Sequence, residues 1–140
     1  MKDEFLFVEP SDIPSVWHTV GHLIKPVFDD NLAASAEDIY DGLCNGDYAL
    51  WIGLTANGRK PAYGLVTYVT HYRRKTFLSI ACAFAFEGHS FNAERVHEHF
   101  SAVGRLLDCV GYELVGTRAG WERVLPDLQY QGVVLRAMFE

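Results

Sequence analysis

Between Tyr48 and Phe86 the chain abandons any helical period for three runs dense in aromatic and β-branched residues, at 48–54, 62–72 and 77–86. Such runs suit a pleated, half-buried surface. The segments joining them, around Asn57-Gly58 and Arg73-Arg74-Lys75, are too short for the crossover that a parallel pair needs. Three adjacent antiparallel strands must therefore form a meander, and the rest of the chain must cover it. Enough apolar material exists to do so: of 140 residues 49% are hydrophobic and 14% aromatic. A domain of this size removes roughly 68% of its unfolded surface from water without a disulfide or metal. One domain over 1–140 is the expectation.

The flanks read as helices and outer strands. The apolar run at 4–8 makes a first strand, ended by Glu9-Pro10. Ser11 or Asp12 can then cap a helix carrying Ile13, Val16, Trp17, Val20, Ile24 and Val27 on one face, with Pro26 closing or distorting its last turn. Ser35-Ala36-Glu37-Asp38 resembles a capping box for a short helix with Ile39 and Leu43 inward, stopped by Asn45-Gly46. After the meander, a long helix is expected over 93–110, with Val96, Phe100, Val103 and Leu107 on one face and Gly111 ending it. A strand over 113–117 should lie parallel to the strand before that helix. A short helix over 120–128 and a last strand over 132–139 follow.

Charge and cysteine usage exclude several classes. The net charge of −6 disfavours binding to nucleic acid or an anionic membrane, and Arg73-Arg74-Lys75 reads as a solvated turn. Cys44, Cys82 and Cys109 are far apart with no Cys-x-x-Cys spacing, so reduced thiols are expected and neither a zinc ribbon nor a disulfide framework is indicated. Met1 is followed by Lys2-Asp3-Glu4 rather than a signal-peptide pattern, and no run is long enough to span a membrane. The expected location is a host cytoplasm or a virion.

The order of elements, together with Asp47-Tyr48-Ala49-Leu50-Trp51 and the run from Gly111 to Leu125 containing Arg118-x-Gly120-Trp121, resembles the Gcn5-related N-acetyltransferase (GNAT) family. Within it the chain is similar to small proteins encoded by tailed bacteriophages, and more distantly to internal virion proteins of short-tailed phages. The resemblance implies an α+β fold: a mixed central sheet of about six to seven strands, with an antiparallel meander and a parallel pair at a split, flanked by about four helices.

It also implies what an active member would need. The family holds the diphosphate of acetyl-CoA on a turn of pattern Gln/Arg-x-x-Gly-x-Gly/Ala, whose amides sit at the start of the long helix. The matching stretch is Phe86-Glu87-Gly88-His89-Ser90-Phe91-Asn92, which has a single Gly and no leading cation. Glu87 would oppose phosphate by an amount on the order of a kcal/mol or more. Gly88, Ser90 and Asn92 are the candidate phosphate contacts, with helix capping as the plainer role. The family's acid is a Tyr on the short late helix, which has none here; Tyr112 and Tyr130 flank that segment and read better as packing aromatics. Glu87 or His89 is the positional candidate for the base, with a solvated loop as the plainer reading.

Other chemistry-bearing residues have ordinary explanations. His18 and His22 share a helical face without a third ligand, His97 and His99 point to different sides of a helix, and no metal is assigned. Cys82 reads as a buried thiol. Arg118, Trp121 and Arg123 are placed near the split with Trp51, as contacts to a cleft or a partner or as support for the fold. Trp51, Tyr63, Tyr68 and Tyr72 could line a groove for an extended peptide.

The expectation is therefore a phage-encoded GNAT-like protein with a degenerate acetyl-CoA site and no cofactor. It would be non-catalytic and would bind a protein partner of the virion or the host, with no nucleic acid and no membrane. The alternative is an N-acetyltransferase using acetyl-CoA, its thioester held along strand edges near Ala81 to Phe84.

Overall fold

A computed structural model describes residues 4–28, 35–57, 59–90 and 92–114. Over these the chain runs β1 (Glu4–Val8), α1 (Ile13–Phe28), α2 (Ala36–Asn45), β2 (Ala49–Leu54), β3 (Pro61–His71), β4 (Thr76–Ala85), α3 (Ala93–Leu106) and β5 (Gly111–Leu114). The five strands form one sheet in the order β1-β2-β3-β4-β5. The first four are antiparallel neighbours, and β5 joins β4 in parallel, with Phe77 opposite Gly111 and Ile80 opposite Leu114. Meander and parallel pair both follow the reading of the sequence. The helix expected over 120–128 and the strand over 132–139 lie outside the described residues.

Local chemistry explains most boundaries. Ser35 and Asp38 form the reciprocal capping box, Ser35 Oγ accepting from the Asp38 amide and the Asp38 carboxylate accepting from the Ser35 amide at 2.9 Å. Such a cap contributes about 1 kcal/mol. Gly46, at φ 88°, ends α2 in the left-handed region. A 3-10 turn over Pro10–Asp12 leads into α1, which carries Pro26 within its last turn and runs on to Phe28. α3 stops at Leu106, short of the expected Val110. Its end is closed by the Cys109 amide donating to Gly104 O at 2.8 Å, with Asp108 at φ 62°, so Asp108 rather than Gly111 breaks the helix. This early stop frees Gly111 to begin β5 two residues sooner than the pattern suggested.

The sheet separates two apolar layers. On one face α1 and α2 bury Ile13, Val20, Ile24, Ile39 and Leu43 against Leu50, Ile52, Leu54, Val66, Cys82 and Phe84. On the other, α3 buries Val96 and Phe100 against Tyr63, Leu65, Leu78 and Ile80. Each of these large side chains contributes roughly 1.5–3 kcal/mol on leaving water. Alternation along β2 sends Leu50 and Ile52 to the first face and Trp51 to the second. Gly64 of β3 leaves room for the ring of Phe84 to lie across the strand; a Cβ there would collide with it.

Candidate functional site

The sheet is irregular at one point that matters. Along β3, Val66 lies opposite Cys82 and the next residue, Thr67, lies opposite Ile80, so β4 carries one extra residue, Ala81. Ala81 and Cys82 consequently both pack toward the α1 and α2 face, whereas Ile80 and Ala83 pack toward α3. The extra residue of a bulge is left out of the ladder. On the other side of β4, the described part of β5 ends opposite Ile80, one residue before it.

Beyond β4 the chain makes a tight turn before α3. The His89 amide donates to Phe86 O at 3.0 Å, with Gly88 at φ 80°, a conformation that favours glycine. Asn92 is the N-cap of α3, its Oδ1 accepting from the Arg95 amide at 3.2 Å. Capping is thus the role seen for Asn92, while Gly88 shapes the turn and Ser90 is exposed beside it. For a diphosphate the fit is divided. The amides that open α3, at Ala93 and Glu94, are of the kind that bind anions. The nearby side chains oppose this: Glu87 is exposed on the turn, Glu94 lies in the first helical turn, and the Arg95 guanidinium is engaged by Glu98 at 2.6 Å.

Two groupings on the α1 and α2 face were not apparent from the sequence. Glu113 Oε1, on β5, accepts from Tyr72 Oη at 2.8 Å and from Ser79 Oγ at 3.0 Å, and Ser79 Oγ lies 2.6 Å from Thr70 Oγ1. The hydrogen bond to Glu113 is the leading reason that the Tyr72 phenol holds its proton above the usual tyrosine range. Only strand register brings these residues together, since 41 positions separate Tyr72 from Glu113. The second grouping is a cleft of about 450 Å³ between α2 and the sheet, lined by Asp38, Asp41, Asp47, Tyr48 and Tyr68 among others. The two tyrosine rings meet edge to face at 5.5 Å, and burial raises the pKa of Tyr48. Three carboxylates beside aromatic faces suit a cation. Of the lining residues, Tyr68 lies opposite Ser79, two residues before Ala81.

The remaining candidates are scattered. Trp51 lies under α3, its Nε1 donating to Thr67 Oγ1 at 3.0 Å and its ring set edge to face against Phe100. Tyr63 is buried on that same face, whereas Tyr68 packs on Tyr48 and Tyr72 reaches Glu113, so the four aromatics do not line one groove. Tyr112 is hydrogen-bonded to His97 Nδ1 at 2.6 Å. His97 and His99 both reach the sheet, His97 toward β5 and His99 stacked on Phe5 of β1 at 4.2 Å. His18 and His22 are exposed on α1, and among the described residues no group of three or more His, Cys, Asp or Glu side chains is gathered for a metal. The three cysteines are free thiols, Cys82 buried. No helix among the described residues is long and apolar enough to cross a membrane. Arg118, Trp121, Arg123 and Tyr130 lie outside the described residues.

No protein-family model and no curated protein matches the sequence. Solved structures do match in shape. An aminoglycoside acetyltransferase from an uncultured soil metagenomic sample, solved in complex with sisomicin, superposes with a TM-score of 0.66 at 13% identity, over 99% of this chain and 97% of its own. A ribosomal-protein-alanine N-acetyltransferase from Brucella melitensis gives 0.66 at 8% identity, over 98% and 100%. A GCN5-related N-acetyltransferase from Ralstonia eutropha gives 0.65 at 11%, over 98% and 99%. Identities this low carry the fold alone, and the fold is GNAT-like: α+β, with a mixed sheet whose parallel pair adjoins the bulge.

Proposed function

We propose that the chain is an N-acyltransferase of the GNAT type, moving an acyl group from an acyl thioester such as acetyl-CoA to a cationic amine. The observation that carries this reading is the placement of the Ala81 bulge and the acidic aromatic cleft on one face of the sheet. In the reaction the amine nitrogen forms a bond to the thioester carbonyl carbon, and the carbon–sulfur bond breaks. The nitrogen's proton passes to a base, and the departing thiolate takes a proton. The peptide at Ala81 stabilises the oxyanion, the carboxylates of Asp41 and Asp47 hold the amine's remaining positive charge, and Glu113 is assigned as proton acceptor in place of Glu87 or His89. That the neighbours in shape are acetyltransferases supports the reading by analogy.

A second reading rests on Glu87 and Glu94 beside the start of α3. Two carboxylates there disfavour a diphosphate and favour a GNAT-like scaffold without CoA chemistry, serving as a virion-associated or host-interaction module. Calorimetric titration with acetyl-CoA separates the two, followed by an assay of free CoA thiol release with spermidine and a lysine peptide as acceptors. Binding with release of CoA is expected for the transferase. Absence of binding at millimolar acetyl-CoA sinks it and leaves the module.

A further inference from the structure

The Thr76 end of β4 carries a surface of a different kind. The Tyr72 amide donates to Lys75 O at 2.8 Å to close the β3–β4 hairpin, and the Val110 amide donates to Thr76 O at 2.8 Å, fastening the α3–β5 connection beside it. Two largely exposed segments, 71–76 and 105–110, are thereby held side by side. They carry Arg73, Arg74, Lys75 and Arg105, all exposed and none with an ion-pair partner among the described residues, with Asp108 in the second segment and Glu113 held by Tyr72 next to the first. Leu106, Leu107 and Val110 of the second segment are 86%, 51% and 63% exposed. A solvated turn accounts for the cations but not for three large aliphatic side chains in water at the end of a helix. Exposed apolar groups that are contiguous and rimmed by charge mark contact surfaces.

We infer that this surface docks an acidic, amphipathic protein segment whose carboxylates meet Arg73, Arg74, Lys75 and Arg105 while its apolar side chains cover Leu106, Leu107 and Val110. Charge complementarity selects the partner: in a chain of net charge −6, this end is locally cationic. The overall negative charge opposes long polyanions, and a nucleic-acid backbone offers nothing to the aliphatic side chains. The surface adjoins Tyr72, which is hydrogen-bonded to Glu113, but the inference rests on the exposed cations and aliphatic side chains and not on acyl transfer.

The probe is a fluorescein-labelled helical peptide of about twenty residues, with leucines at i, i+3, i+4 and i+7 spacing and glutamates between, titrated by anisotropy with the full chain. Binding is expected to weaken about tenfold or more in Arg73→Gln/Arg74→Gln and in Leu106→Ser/Val110→Ser, and to weaken with added salt. The melting temperature of each variant verifies that it is folded, and the single Arg105→Gln, expected to weaken binding in the same direction, serves should a double variant unfold. Equal binding of a peptide with serine in place of every leucine overturns the inference. So does tighter, variant-sensitive binding of phosphatidylglycerol vesicles or a single-stranded oligonucleotide, which assigns the surface to a membrane or to nucleic acid instead.

Discussion

The phenol of Tyr72 donates to the carboxylate of Glu113 across 2.8 Å, tying the end of the β3–β4 hairpin to β5. Ser79 of β4 reaches the same oxygen, so one carboxylate of β5 holds both its neighbour strand and the hairpin end. A carboxylate with two hydroxyl donors is well oriented, and orientation is what a proton acceptor needs.

Replacing it tests that role. Glu113→Gln keeps an oxygen that accepts from Tyr72 and Ser79 but removes the base. The chain should stay folded while kcat for acyl transfer falls about 100-fold. Unchanged kcat would remove Glu113 from the chemistry.

The acidic cleft should act on the acceptor alone. In Asp41→Asn/Asp47→Asn, KM for spermidine is expected to rise about tenfold, with the affinity for acetyl-CoA and the rate with a neutral aromatic amine preserved. Steady-state kinetics with the two acceptors makes the comparison. A parallel loss for both amines would point to a general distortion of α2.

Acid stability should depend on His99. Its Nε2 is buried with no hydrogen-bond partner among the described residues, and its ring stacks on Phe5. Burial, with a smaller contribution from Arg95, lowers its pKa from 6.5 to about 4. The folded state therefore binds fewer protons than the unfolded chain. The contribution is complete above pH 6.5 and is lost as the pH falls toward 4, by about 1–2 kcal/mol once the ring's partial exposure is allowed for. Urea midpoints measured from pH 7 to pH 4 should show this slope, and His99→Phe should flatten it.

Close packing across β3 and β4 gives a further check. Gly64→Ala places a methyl against the ring of Phe84 and should cost about 1–3 kcal/mol, with Phe84→Leu in the same chain recovering part of the loss. Denaturant unfolding of the single and double variants measures the coupling. Strict additivity would mean that the ring moves aside at no cost.

Elements governed by neighbours in sequence were legible from the residues. The capping box at Ser35 and Asp38, the left-handed stop at Gly46 and the meander follow from side chains within a few positions of one another. The end of α3 was less so, because Asp108 takes a left-handed conformation that its residue type permits without demanding. The bulge at Ala81 has no local mark at all: the segment around Cys82 reads as an unbroken apolar strand, and the extra residue exists only relative to the register of β3.

The candidate site divides along the same line. Gly88 and Asn92 could be singled out because a turn and a helix start are local structures, and both take those roles. Glu113, Tyr72, Ser79 and Thr70 could not be grouped beforehand, because hydrogen bonds between strands depend on which residues the ladder sets opposite each other. Trp51 shows the converse: its residue type suggested an open cleft, and alternation along β2 turned it under α3. Hydrophobic period and capping chemistry act over three or four residues and so are written in the chain. The meeting of distant side chains arises from register, crossover and layer packing, which exist only once the sheet has assembled.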